Sequence, residues 1–201
     1  MSNEQHTPRD STYWQAIYDD GDIGWDKGTP APPFVNLLKE KPFRKGSHVL
    51  VPGCGLGHEV LFLASLGYQV TAVDFAESAI AGLTARAGDL PVTALQRDLF
   101  SLPGDHTAVF DVVLEHTCFC AIPIEMRPRY AEVMHTVLKR DGRMVGLFYE
   151  TDAEEGPPFK TTQEDVQSHF SNYFEITRLE RPNDSFKGRQ GKEWLAEMRR
   201  R

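Results

Sequence analysis

Cysteine is scarce and odd in number, with Cys54, Cys118 and Cys120 the only three in 201 residues. No positively charged leader with a secretory apolar segment follows Met1, so the simplest account is reduced thiols in a cytoplasmic protein. Long apolar runs are missing as well. None approaches the roughly 20 residues a membrane-spanning helix needs, so no membrane partner is expected. Basic clusters are absent apart from Arg199-Arg200-Arg201, and 29 acidic residues outnumber 22 basic ones for a formal charge of −7. Binding nucleic acid takes a basic face against the phosphates, so DNA and RNA are disfavoured. There is no repeat, low-complexity tract or inter-domain linker, and Gly156-Pro157-Pro158 reads as an internal loop. One domain over 1–201, acting as a monomer on a small molecule, is the expectation. The polar stretch from Met1 to Asp10 reads as a frayed end.

What is present is a glycine-rich unit. Val49-Leu50-Val51-Pro52 is an apolar run of buried-strand type, Gly53-Cys54-Gly55-Leu56-Gly57 a tight turn, and Val60 to Leu66 the following helix. Glycines serve where backbone passes close under a ligand or takes positive φ. About 20 residues on, Asp74 ends the next strand, placed to accept both hydroxyls of a ribose diol. Phe75 beside it joins the same set. Dinucleotide sites favour G-x-G-x-x-G with pyrophosphate on the helix N-terminus. Here the glycines run G-x-G-x-G, and Glu59 stands where the helix opens. A carboxylate there opposes phosphates but tolerates a cofactor that lacks them, which points to S-adenosylmethionine.

Strands and helices alternate through the chain. Helices are expected over Ser11 to Tyr18, Phe34 to Glu40, Ala76 to Ala87, Glu125 to Lys139 and Thr162 to Phe170. Strands are expected over His48 to Pro52, Gln69 to Asp74, Val92 to Arg97, Phe110 to Glu115, Arg143 to Glu150 and Phe174 to Glu180. Glu193 to Met198 suits a last strand or a short helix. The order implies an α/β, Rossmann-like, doubly wound parallel sheet flanked by helices.

Acids at strand ends face the ligand crevice of such a sheet. Asp98 would take the adenine amino group while Leu99 packs on the ring; a solvated strand-end acid is the plainer alternative. Glu115 and His116 end the fourth strand, where a carboxylate or backbone carbonyls could hold the cofactor's ammonium. His116 reads equally as a partly buried polar residue. Cys118-Phe119-Cys120 lacks a second Cys or His cluster, so no metal site is expected and buried structural thiols are preferred. No histidine sits in a recognisable dyad. A nucleophile that arrives already anionic or polarisable suits that absence. Trp14, Tyr18 and Trp25 surround Gly21 and Gly24 in segment 1–33, either as a local hydrophobic cluster or as a lid whose ring faces favour a sulfonium cation.

The chain resembles the thiopurine S-methyltransferase family, most closely its thiol and halide methyltransferase branch. The resemblance is carried by Trp25-Asp26-Lys27-Gly28 with Thr29-Pro30, Val51-Pro52-Gly53-Cys54-Gly55, Phe119-Cys120-Ala121-Ile122 with Glu125-Met126-Arg127-Pro128, Lys139-Arg140-Asp141-Gly142, Phe148-Tyr149 and Gly191-Lys192-Glu193. It implies a seven-stranded class I methyltransferase fold, with S-adenosylmethionine as methyl donor and S-adenosylhomocysteine as product. By that resemblance Trp14 and Trp25 cover the cofactor, with Tyr18 where the plant branch carries another tryptophan. Gly53 lies under the methionine portion, Gly55 continues the turn, Asp74 meets the ribose, and Asp98 and Leu99 the adenine. His116 stands where that branch has a tyrosine. Trp25, Phe119 and Tyr149 surround the transferred methyl, and Arg127 caps or positions the long helix. Arg189 and Lys192 could draw an anionic acceptor, although surface charge is the plainer account.

The expected activity is therefore methyl transfer to a small thiol, hydrosulfide, thiocyanate or halide. Two alternatives stay open: a different small acceptor (an oxygen or nitrogen nucleophile, or a metalloid), or a non-catalytic sensor of the cofactor.

Overall fold

The computed structural model describes residues 11–201, and the frayed end expected over Met1 to Asp10 lies outside them. Helices α1 (Ser11–Asp20), α2 (Pro32–Glu40), α3 (His58–Ser65), α4 (Glu77–Ala87), α5 (Arg127–Val137) and α6 (Gln163–Phe170) alternate with seven strands. These are β1 (His48–Pro52), β2 (Gln69–Asp74), β3 (Val92–Gln96), β4 (Phe110–His116), β5 (Leu138–Tyr149), β6 (Phe174–Glu180) and β7 (Glu193–Arg200). They form one sheet in the order β3-β2-β1-β4-β5-β7-β6. Strands β1 to β5 pair in parallel, and β7 runs antiparallel between β5 and β6. The last segment is thus a strand, not a helix.

Alternation along each strand feeds two cores. Val49, Val51, Val70, Ala72, Val112 and Leu114 join Phe34, Leu37, Val60, Leu63 and Leu83, burying α2, α3 and α4 on one face. Leu50, Val73, Val113, Met144 and Phe148 join Tyr130, Met134, Val166 and Phe170 under α5 and α6. Local signals set several helix starts. Pro33 follows Pro32 at the opening of α2, where a missing N–H costs nothing. Thr162 and Asp165 form a reciprocal capping box at the start of α6.

Most boundaries shift by one or two residues from the sequence expectation, and the largest change is where α5 gives way to β5. The long helix opens at Arg127, after a short 3-10 turn over Ile124–Met126, and stops at Val137. Residues 138–142 then belong to β5, because Leu138 is fully buried opposite Phe110 and Gly142 lies within the strand. Strand order reverses between β1 and β4, whose neighbours wind off in opposite directions. That switch point opens a crevice at the carboxyl ends of the parallel strands.

Candidate active site

Gly53 and Gly55 hold positions in the turn after β1 that fit glycine alone. Gly53 has φ +55, and a Cβ there would stand 2.7 Å from Cys118 Sγ. Gly55 has φ +51, and its Cβ would meet the Tyr18 hydroxyl at 2.9 Å. Backbone therefore lies bare under the crevice. Asp74, at the end of β2, accepts the Gly55 N–H at 2.9 Å through Oδ2 and the Ala76 N–H at 3.0 Å through Oδ1. The Phe75 N–H also bonds this carboxylate, and of its roughly four lone-pair sites one is left for a hydroxyl of a diol. Burial raises the Asp74 carboxyl above the ordinary range, and the backbone donors oppose the rise. One strand further out, Asp98 caps a short 3-10 turn by accepting the Phe100 N–H at 2.8 Å, and Leu99 is buried behind it.

Helix α1 has no fully buried residue and is held from outside. Gln15 donates to Ser78 Oγ at 2.6 Å, and Ser78 donates to Asp19 at 2.8 Å, pinning α1 to α4. Trp25 meets Trp14 and Tyr18 in T-shaped contacts, with centroids at 5.8 and 5.9 Å. Burial, followed by the nearby Asp74 charge, pushes the Tyr18 hydroxyl far up, so it stays a neutral phenol. Below these rings lies a cavity of about 870 Å³. Its wall brings together Trp14, Tyr18, Trp25, Gly53, Gly55, Asp74, Phe75, Asp98, Leu99, His116 and Tyr149.

Glu115 and Phe119 are not on that wall. Glu115 alternates with His116 along β4 and points the opposite way, fully buried. Its Oε1 accepts the Cys118 and Phe119 N–H groups at 2.9 and 2.8 Å, organising the turn after the strand. Burial raises its carboxyl to about 7, against the backbone bonds. An ammonium-holding role for this side chain finds no geometry here. Phe119 is a core ring, 5.3 to 5.5 Å from Phe170, Tyr130 and Phe148, with the Arg127 guanidinium 4.6 Å above it. Arg127 opens α5 and donates to the carbonyls of Phe159 and Lys160 and to Thr161 Oγ1, tying down the loop before α6. All three cysteines are buried and free. Burial raises every thiol, with Cys120 reaching about 12, so they remain protonated. Among the described residues, no group of three His, Cys, Asp or Glu side chains could hold a metal.

Missed in the sequence was a line of buried charge behind the cavity. Glu59 Oε1 accepts the Ala31 N–H and lies 2.9 Å from His116 Nδ1. His116 Nε2 faces Arg189 Nη1 at 3.4 Å, and Arg189 reaches Glu193 Oε1 at 3.3 Å and the Trp25 carbonyl at 3.2 Å. Arg189 is only 5 % exposed and its guanidinium lies 4.9 Å from the Tyr149 ring centre, so surface charge is the wrong account of it. Lys192 does sit outside, paired with Asp152. Glu59 and His116 are 57 residues apart, a spacing without local signature. After His116 the chain turns through Thr117 at φ +60, a strained value for a β-branched residue.

A glycine turn between β1 and α3, an acid ending β2 and another just after β3, and a deep crevice at the switch point of a seven-stranded sheet define a class I methyltransferase. The model of the thiopurine S-methyltransferase family matches residues 9–200, and the chain belongs to that family. It is 34% identical over 195 residues to thiocyanate methyltransferase 1 of Brassica oleracea, covering 93% of this chain and 84% of that one. To a thiopurine S-methyltransferase of Pseudomonas paraeruginosa it is 28% identical over 186 residues, covering 84% and 85%. The fold is shared with the 1,6-didemethyltoxoflavin-N1-methyltransferase of Burkholderia thailandensis, solved with S-adenosylhomocysteine bound. That comparison has a TM-score of 0.75 at 21% identity and covers 95% of this chain and 86% of that one. No helix among the described residues is long and apolar enough to cross a membrane.

Proposed function

We propose that the enzyme moves a methyl group from S-adenosylmethionine to a small sulfur or halide nucleophile: a thiol, hydrosulfide, thiocyanate or halide. The observation that supports this is a single cavity walled by Asp74 and Asp98 at one end, by Tyr149, His116 and buried Arg189 at the other, and by the Trp14–Trp25–Tyr18 rings. When bound, the cofactor supplies a methyl carried on a sulfonium. Asp74 would hold the ribose diol, Asp98 and Leu99 the adenine, the Gly53–Gly55 backbone and Phe75 the adjoining parts, and the indole faces the cation. The names of the curated relatives, thiocyanate and thiopurine methyltransferases, support the acceptor class.

An anionic acceptor meeting a sulfonium loses charge on the way to products, so a dry, weakly polar pocket favours the transition state. The chain's own work is alignment and exclusion of water: the lid covers, and Tyr149 and Trp25 confine the acceptor. On the same reading the protein acts in the cytoplasm as a monomer, without nucleic-acid or membrane partners, in keeping with its net charge of −7. Formation of S-adenosylhomocysteine should be measured with hydrosulfide, alkylthiols, thiocyanate, iodide and bromide. Turnover with at least one is expected. Binding of S-adenosylmethionine without turnover of any would overturn the assignment.

A further inference from the structure

Thiocyanate and halides arrive as anions, whereas an alkylthiol, with a pKa near the ~8.5 of a cysteine side chain, arrives mostly protonated at neutral pH. Its proton must go somewhere. Sheet order puts β4 and β5 across β1 from the acids of β2 and β3, so His116 and Tyr149 stand at the end of the crevice away from Asp74 and Asp98. There His116, on the cavity wall, has Nδ1 committed to Glu59 at 2.9 Å, a bond that fixes the tautomer and leaves Nε2 as the ring's acceptor. Among the described residues, the hydrogen-bond partner of Nε2 is Arg189 Nη1 at 3.4 Å, at the long end of the range, a contact that an incoming thiol can displace. Strain at Thr117, directly after His116, is of the kind that clusters where a side chain must be aimed.

We propose that His116, oriented by Glu59, is the proton acceptor for neutral thiols, an inference that rests on the methyltransferase reading above. The S–H bond breaks as the proton moves to His116 Nε2, and the freed sulfur electron pair forms the new S–CH₃ bond. The sulfonium–carbon bond breaks in the same displacement, leaving neutral S-adenosylhomocysteine. The imidazolium returns its proton to solvent after product leaves. Glu59 is a positioning residue, and the surroundings suit the task. The charged groups facing His116 are Glu59 from α3 and Arg189 and Glu193 beside and on β7, while Glu115 on β4 itself points the opposite way. Glu59 and Glu193 offset Arg189 and the imidazolium together, so the cluster is neutral when His116 holds the extra proton. Burial lowers the His116 pKa, but Glu59 outweighs it, and the net direction is upward.

The test compares an alkylthiol with thiocyanate across pH. For wild type, thiol turnover should show an acid limb that thiocyanate turnover lacks. In His116→Gln the ratio of thiol to thiocyanate kcat/KM should fall about 100-fold at pH 7, the scale of a lost general base. Glu59→Gln keeps an acceptor for Ala31 and removes the charge that favours the imidazolium, so the acid limb should move to lower pH. The His116 imidazole titration, followed by NMR in the ligand-free protein, should move the same way. An unchanged ratio in His116→Gln, or an unmoved limb in Glu59→Gln, would overturn the inference. Wild-type turnover of thiocyanate but of no alkylthiol would overturn it alone. Turnover of neither, nor of hydrosulfide, iodide or bromide, would overturn the proposed function and this inference together.

Discussion

Glu115 shows what one buried carboxyl does to the whole stability curve. Its ordinary value is 4.5, and burial in the fold raises it to about 7. Between those values the unfolded chain releases the proton and the folded chain keeps it, so stability falls as pH rises through the window. A gap of that size corresponds to about 3 kcal/mol. Glu115→Gln retains an oxygen for the Cys118 and Phe119 N–H groups and removes the ionisation. Its stability relative to wild type should therefore rise by up to about 3 kcal/mol from pH 4.5 to pH 8, read by urea unfolding at each pH. Parallel curves for the two proteins would mean that Glu115 is ionised, or solvated, in the fold. Nothing in the sequence marked this role. Strand ends carry acids for several reasons, and only the direction of alternation along β4 turns Glu115 into the core and His116 toward the crevice.

At the scale of elements, the segment before the sheet matters most. Helix α1 contributes no fully buried residue of its own, and its rings face the cavity and one another. A helix so attached should be most stable when something fills the space beneath it. Trp25 is the centre of the cluster, in T-shaped contact with both Trp14 and Tyr18, with its carbonyl held by Arg189. Trp25→Ala should weaken S-adenosylmethionine binding about tenfold, the scale of a lost cation–π contact with its packing, and slow turnover with it. Calorimetry giving an unchanged Kd would remove Trp25 from the cofactor site. Elements with strong local signals were legible, as with the capped α6 and the glycine turn after β1. The end of α5 was not, because Leu138 reads equally as helix or strand until Phe110 is placed opposite it.

For the molecule as a whole, the product offers a direct probe. Occupying the cavity at about 100 times Kd adds about 2.7 kcal/mol to folding stability. In a chain of this size that raises Tm by about 5–10 °C. S-adenosylhomocysteine should produce such a shift in wild type, and Asp74→Ala should abolish it at the same concentration. A shift retained in the variant would separate Asp74 from the ribose. The sequence by itself determined the first six strands, the glycine turn and the acid ending β2, because apolar strand runs and positive-φ turns are local demands written in neighbouring residues, whereas the antiparallel place of β7 was settled by packing. It also marked Trp14, Tyr18 and Trp25 as rings in need of cover. Only tertiary structure decided that Phe119 and Glu115 serve the core, that Arg189 is buried, and that Glu59 meets His116. Those outcomes depend on which faces of distant segments meet, and a carboxylate on α3 acquires a partner on β4 only when β1 places the two side by side.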